Sequence, residues 1–387
     1  TPRPEHARIV AEQGLVYNDT ILPDGSARPF WDESAYYAFS MDEVLRLEAT
    51  TQELHDLCLK AVEHIITRRR YADLGIPALA WPAIEDTWER DSPSLYGRFD
   101  LRYDGNGPAK LLEYNADTPT SLLEAAVIQW YWLEDTHRGC DQWNSLHERL
   151  IAAWRRHRLR IPEGRVHFAY SGEEETGEDL MTVTYLRETA DQAGLSTATL
   201  TMEEIGWSDP ERRFVAPDGA PLTTVFKLYP WEWMFTDEFG PLALEHLAET
   251  RWIEPTWKCL LSNKGLLAIL WELFPNHPNL LPALRGTAGY MSSYARKPLL
   301  GREGANVALV TPQSNYALPG PYGAEGYVYQ QYAPLPDFDG YYPVLGAWVV
   351  DGEAAGLGIR EADGLITDNL SRFVPHLIED APRGAGA

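Results

Sequence analysis

Residues 98–121 read RFDLRYDGNGPAKLLEYNADTPTS, two strand-like runs around an Asp-Gly-Asn-Gly turn. The pattern predicts strands over Arg98–Tyr103 and Lys110–Asn115. Side chains alternate along a strand, so Arg98, Asp100 and Arg102 share one face, and Leu111, Glu113 and Asn115 share another on the return. A turn of even length brings Asp100 and Glu113 to the same side, within cross-strand reach. Two carboxylates so placed repel unless a cation lies between them. Removing either one is therefore expected to relieve strain in the metal-free protein. Asp, Glu and an Asn amide oxygen are hard ligands, suited to magnesium held together with phosphates. This makes Asp100, Glu113 and Asn115 candidate metal ligands, with Arg98 beside them to clamp a terminal phosphoryl group. An exposed hairpin whose charges face water would carry the same pattern.

Three further segments suit phosphate or nucleotide chemistry. In KPLLGREGANV, residues 297–307, Lys297 closes a predicted strand, and Gly301, Arg302, Glu303 and Gly304 follow before the next. Glycines let backbone N–H groups approach a phosphate, and the lysine adds a mobile charge. The segment is neither a Walker A motif nor a Rossmann fingerprint, and a plain hairpin turn reads the same way. Ser262-Asn263-Lys264 stands at a predicted helix start, where the dipole and Lys264 would attract phosphate while Ser262 caps the helix. Tyr329-Gln330-Gln331-Tyr332 ends a predicted strand and offers edge hydrogen bonds to an adenine. Arg360 closes a later strand. Glu178 and Asp179 follow the predicted strand ending at Tyr170, where α/β layers present their ligand crevice. No Ser-His-Asp or Cys-His set stands out as a nucleophile.

The elements that must position these residues follow from periodicity. A long helix opens the chain, capped by a Ser40/Glu43 box, with apolar Val44, Leu47, Leu54, Leu57, Val62 and Ile65 running to about Arg68. The loop Ala116–Thr120 leads into a helix predicted from Ser121, with a second box ending at Glu124. Strand and helix then alternate: strands at Val166–Tyr170, Thr197–Thr201 and Val225–Tyr229, a helix over Glu178–Ala193, and another over Ser262–Phe274. That alternation predicts a doubly wound α/β layer. From about Leu280 antiparallel strands are predicted at Tyr294–Pro298, Asn306–Val310, Gly326–Tyr332, Val344–Val350 and Ala354–Ile359, with an Asp351-Gly352 hairpin turn. An α/β part followed by a sheet-rich part is the layout of two lobes clamping a nucleotide. The expected units are 1–160 (helices and metal-site hairpin), 161–255 (α/β substrate layer) and 256–387 (nucleotide-binding lobe and C-terminal return).

Composition sets outer bounds. At 387 residues the chain calls for more than one lobe. Its net charge of −24 argues against a nucleic-acid partner and is compatible with a cationic ligand such as a polyamine. No run approaches the ~20 apolar residues of a bilayer span. Thr1–Gln13 lacks a signal-peptide apolar core. Cys58, Cys140 and Cys259 are scattered and read as reduced thiols, which points to the cytoplasm. Most of the 14 Trp, including Trp130 and Trp132, are expected in cores or lobe interfaces.

The segments YGRFDL, LLEYNADTPTS, LSNKGLLAILWELFPNHPNLLP, RKPLLGREGANV, VYQQY and GIRE, in this order, resemble the synthetase domain of the glutathionylspermidine synthase family. The resemblance runs from about Trp31 to Phe373 and is closest to stand-alone acid–amine ligases without the amidase domain, so no amidase activity follows. It implies an ATP-grasp fold of mixed α+β and α/β type, two lobes around ATP preceded in part by a pre-ATP-grasp layer. It implies ATP and magnesium, and an amide bond formed through an acyl phosphate. Carried over, magnesium falls on Asp100, Glu113 and Asn115, and the transferred group on Arg98. ATP falls on Lys264, Lys297, Glu303, Gly304, Gln330 and Gln331, and the acid substrate on Arg360. Thr118 and Thr120 occupy the family's acid-substrate loop, stiffened here by Pro119, and Glu178-Asp179 its acidic pair for the amine. Leu228 replaces a small polar residue of the bifunctional enzymes, so the acid and amine themselves stay open. The rival reading is a catalytically silent polyamine- or peptide-binding protein on the same fold; a nucleotide-independent carbohydrate binder is the third.

Overall fold

The computed structural model describes residues 2–17, 19–21, 25–173 and 176–379. Thr1 and residues 380–387, the ends of the expected first and third units, lie outside the described residues.

The hairpin forms the edge of a five-stranded antiparallel sheet, in the order Arg372–Val374, Glu353–Ala362, Tyr342–Val350, Tyr96–Arg102, Lys110–Asn115. Its register sets Asp100 opposite Glu113 and Arg98 opposite Asn115, with an irregularity just after Asp100. The strands Tyr342–Val350 and Glu353–Ala362 thus return from the far end of the sequence to complete the sheet begun by the hairpin. The turn between them places Asp351 at φ 48° and Gly352 at φ 81°, the left-handed pair that a two-residue type I′ turn demands.

Helix Met41–Arg68 packs on this sheet. The predicted Ser40/Glu43 capping box is present, and Leu47, Leu54, Val62 and Ile65 are buried, each contributing about 1.5–3 kcal/mol. A second sheet is wholly parallel, in the order Arg251–Ile253, Thr224–Leu228, Arg165–Tyr170, Ser196–Thr201. Helix Glu178–Gln192 makes the crossover between its last two strands. A third, five-stranded sheet runs Ala283–Arg285, Tyr327–Gln331, Tyr294–Pro298, Ala308–Val310, Asn315–Ala317. The architecture is mixed α/β. No helix of the described residues is long and apolar enough to cross a membrane.

Four local expectations are corrected. The chain does not open on the long helix: helix His6–Glu12 and a small ribbon, Asp19–Ile21 with Ala27–Pro29, precede it. The helix predicted over Ser262–Phe274 is broken into Cys259–Ser262 and Leu266–Leu273. Asn263 breaks it, its Oδ1 accepting the Gly265 N–H at 2.9 Å while its Nδ2 donates to the Leu74 carbonyl at 2.7 Å; short polar side chains compete with helical bonding in this way. The Ser121/Glu124 box does not form, because Ser121 takes φ 65°, outside the extended region a cap occupies. Glu124 instead accepts the Tyr17 hydroxyl at 2.9 Å, and its segment is a π-helical turn, Glu124–Ile128. Trp132 is core, but Trp130 is exposed.

Candidate active site

Every residue singled out as metal, nucleotide, catalytic or substrate ligand lines one cleft of about 930 Å³. Its floor is the hairpin. One wall is the third sheet with the loop after Lys297, and the other comprises the loop 116–120, the start of helix Glu178–Gln192 and the short helix Trp231–Met234. Asp19, Thr20 and Ile21 of the amino-terminal ribbon line the cleft too, with the flanking Tyr17 and Phe30.

Each of the opposed carboxylates has cationic partners, and these are the protein's own. Arg98 Nε donates to Asp100 Oδ1 at 2.8 Å, and Arg360 Nη2 donates to Asp100 Oδ2 at 2.7 Å. Lys264 Nζ lies 3.0 Å from Glu113 Oε2, and Asn115 Nδ2 donates to Glu113 Oε1 at 3.0 Å. This corrects the expectation that removing Asp100 or Glu113 relieves repulsion, since it would strand Arg98 and Arg360, or Lys264. Burial disfavours charge on Glu113, yet Lys264 and Lys297 overcome it and hold the carboxyl well below its ordinary range. Burial and the neighbouring Arg98 pull the Arg360 guanidinium below its usual value, against the attraction of Asp100. Gly346, paired with Asp100 on the next strand, makes room for this cluster, because a Cβ there would stand 2.9 Å from the Arg98 Cδ.

The lysine-and-loop wall is equally bonded. Lys297 Nζ donates to the Leu112 carbonyl and to Gln330 Oε1, both at 2.8 Å, and burial lowers it to about 8. Gln330 Nε2 in turn donates to the Leu111 carbonyl at 2.8 Å. Both ends of the Gln330 amide are therefore engaged inside the protein, while the exposed Gln331 side faces the cleft rim. Lys264 Nζ also donates to the Gly301 carbonyl at 2.7 Å. Glu303 and Gly304 follow with φ 52° and 71°. A Cβ on Gly304 would stand 2.8 Å from the Thr367 carbonyl oxygen, so the loop's close approach requires glycine.

The acid-loop and acidic-pair residues meet at the far end. Burial raises the Glu178 carboxyl, opposed by Thr120, Arg360 and Arg98. Arg302 was assigned no ligand role on sequence. It donates to Thr118 Oγ1 at 2.7 Å, reaches Glu232 at 3.5 Å and stacks 5.3 Å from the Trp233 ring centroid, joining the glycine loop to the opposite wall. Ser262 proves not to be a cap. Its hydroxyl accepts the N–H groups of Ala116 and Asp117 at 3.0 and 2.8 Å, tying the Lys264 segment to the substrate loop. Among the described residues no group of three or more His, Cys, Asp or Glu is arranged around a metal position. The cross-strand Asp100/Glu113 pair with Asn115 is nevertheless a hard-oxygen set facing the cleft, which fits magnesium shared with phosphates.

A chain of the same architecture, a glutathione-synthetase-like effector from Globodera pallida solved without ligand, superposes with a TM-score of 0.57 over 98% of each chain at 9% identity, a likeness of fold alone. A Haemophilus influenzae protein with the provisional name acid–amine ligase is 43% identical, over 97% of both chains. Trypanothione synthetase from Crithidia fasciculata is 30% identical over 87% of this chain, and the bifunctional glutathionylspermidine synthetase/amidase of Escherichia coli 28% over 90%. The match spans 56% and 60% of those two longer proteins. These relatives carry ligase and synthetase names, and the family model described as glutathionylspermidine synthase pre-ATP-grasp matches residues 1–379. The chain belongs to the glutathionylspermidine synthase family.

Proposed function

We propose that the protein is an ATP- and magnesium-dependent ligase that joins a carboxylic acid to an amine through an acyl phosphate. The observation that carries this reading is the gathering of opposed carboxylates, two lysines and two arginines along a single cleft. A bound magnesium ion, held by Asp100, Glu113 and Asn115, would supply neutralising charge between phosphate oxygens. Lys264 and Lys297 would bind the phosphates of ATP beneath the glycine loop, with Glu303 and Gly304 over them and Gln330 and Gln331 toward the adenine. Arg98 and Arg360 would hold the acid and the phosphoryl group in line and take up charge as it develops. Carboxylate oxygen attacks the γ-phosphorus and ADP leaves. The amine nitrogen then attacks the acyl carbon and inorganic phosphate leaves, a step that demands a dry, closed site.

Thr118 and Thr120 would contact the acid, which the relatives' names suggest is peptide-like. Glu178 and Asp179, with Glu232 and Asp19 on the same cleft, favour a cationic acceptor. The hairpin and two outer sheets would act as an ATP-grasp clamp around ATP, divided about as the sequence suggests into 1–160, 161–255 and 256–387. Two buried thiols and one half-buried, all unpaired, fit a reducing compartment, the cytoplasm. The test is incubation with Mg·ATP, glutathione and amines differing only in charge. Amide product and phosphate should form in equal amounts, most with spermidine and least with an uncharged amine. Stabilisation by Mg·ATP with no product for any acid–amine pair would favour the silent binding protein instead.

A further inference from the structure

One ion pair near the cleft is sealed off from it. Lys227 Nζ stands 2.7 Å from Asp117 Oδ1, with side-chain exposures of 0% and 1%. The second Asp117 oxygen accepts the Trp231 N–H at 2.7 Å. Lys227 also donates to the Tyr229 carbonyl at 2.9 Å and lies 4.7 Å from the Trp231 ring centroid. Neither residue lines the cleft. Burying two charges is a poor route to stability, because desolvation offsets the attraction and apolar replacements often serve as well.

What the pair fixes is place. Asp117 sits in the loop whose amides at 116 and 117 are held by Ser262. One residue on, Thr118 accepts Arg302. Three residues on, the Thr120 carbonyl accepts Arg98 Nη1 at 2.6 Å. Lys227 lies on Thr224–Leu228 of the parallel sheet. We propose that Asp117 and Lys227 are positioning residues for phosphoryl transfer. Through the loop they locate Arg98, Thr118 and Thr120 against the metal hairpin, referencing the reacting centre to the parallel sheet. The kinetic part of this inference rests on the ligase reading above.

Replacing Asp117 alone strands a buried lysine, so Asp117→Asn is expected to melt early. The double variant Asp117→Asn/Lys227→Met removes both charges and should regain most of the lost Tm. Its Mg·ATP affinity by titration calorimetry should stay within about twofold of wild type, because the ATP lysines are untouched. Its kcat for phosphate release with glutathione and spermidine should fall roughly 100-fold, the cost of a small misplacement. Deuterium uptake over residues 114–121 should quicken. Wild-type kcat and wild-type uptake in a double variant with restored Tm would overturn the proposal, for that is what a merely structural pair gives. If the double variant does not fold, Lys227→Arg keeps the charge and changes its geometry. It should fold with at least a tenfold lower kcat, and full kcat in it would equally overturn the idea. If wild type releases no phosphate with these probes, the ligase reading is what fails, and deuterium uptake still decides the positioning role.

Discussion

Carboxylate–cation pairs of nearly equal length serve two regions of this molecule in opposite ways. In the cleft, Arg98 and Arg360 flank Asp100 at 2.8 and 2.7 Å, and Lys264 meets Glu113 at 3.0 Å. Beneath the adjacent loop, Lys227 meets Asp117 at 2.7 Å. Distance does not separate them; accessibility to a competing ligand does. The cleft pairs border about 930 Å³ of open space; on the proposed ligase reading, phosphates would take over the lysines and arginines and a metal the carboxylates. The sealed pair lies outside that space, with side-chain exposures of 0% and 1%. The carboxylates and cations of the cleft thus balance one another, which keeps the like-charged groups together.

The sharpest way to break this contrast is to neutralise one cleft carboxylate. Asp100→Asn or Glu113→Gln should lower turnover by roughly 100–1,000-fold, the usual effect of losing one preorganised charge contact. Metal-free Tm should fall in Asp100→Asn, because Arg98 and Arg360 lose their common partner. Steady-state kinetics and melting of the apo protein check both. A higher apo Tm would mean that the carboxylates repel as the sequence suggested and that the arginines do not balance them.

A smaller effect sharpens the comparison from the buried side. Glu124 is fully buried and bonded to Tyr17, and burial with the nearby Glu178 pushes its carboxyl up to about 7, against the pull of Arg98. Its folded state therefore binds a proton more tightly than the unfolded chain, whose carboxyl titrates near 4.3. The proton-linked stability is present below the unfolded value and declines as pH rises through about 7. Melting curves from pH 5 to 8 should show wild type losing stability relative to Glu124→Gln as pH rises, a difference of a few kcal/mol at most. Equal slopes would mean that Glu124 is ionised across this range.

Legibility followed the reach of each interaction. Alternation across a four-residue-scale turn was enough to pair Asp100 with Glu113, and a local capping box placed the long helix within a residue of Met41. Residues whose partners lie a few positions away, such as Glu43 with Ser40, were readable from spacing alone. Glu113 carried no local sign that Lys264 would neutralise it, since that contact spans the chain. Arg302, Glu232 and Trp233 were invisible as a set for the same reason, as were Lys227 and Asp117, 110 positions apart. Ser262 misled because a serine before a helix reads as a cap, whereas tertiary packing gave its hydroxyl two amides of another loop. The return of Tyr342–Val350 and Glu353–Ala362 to the hairpin sheet is likewise a long-range pairing that periodicity does not encode.

On the proposed mechanism, carboxylate oxygen attacks ATP in this cleft before the amine arrives. Glutathione labelled with ¹⁸O in its carboxylates, supplied with Mg·ATP and spermidine, tests it through mass spectrometry of the released phosphate. ADP is expected as the other product, with one ¹⁸O atom in each phosphate formed. Amide product accompanied by unlabelled phosphate, or by AMP and pyrophosphate, would contradict it.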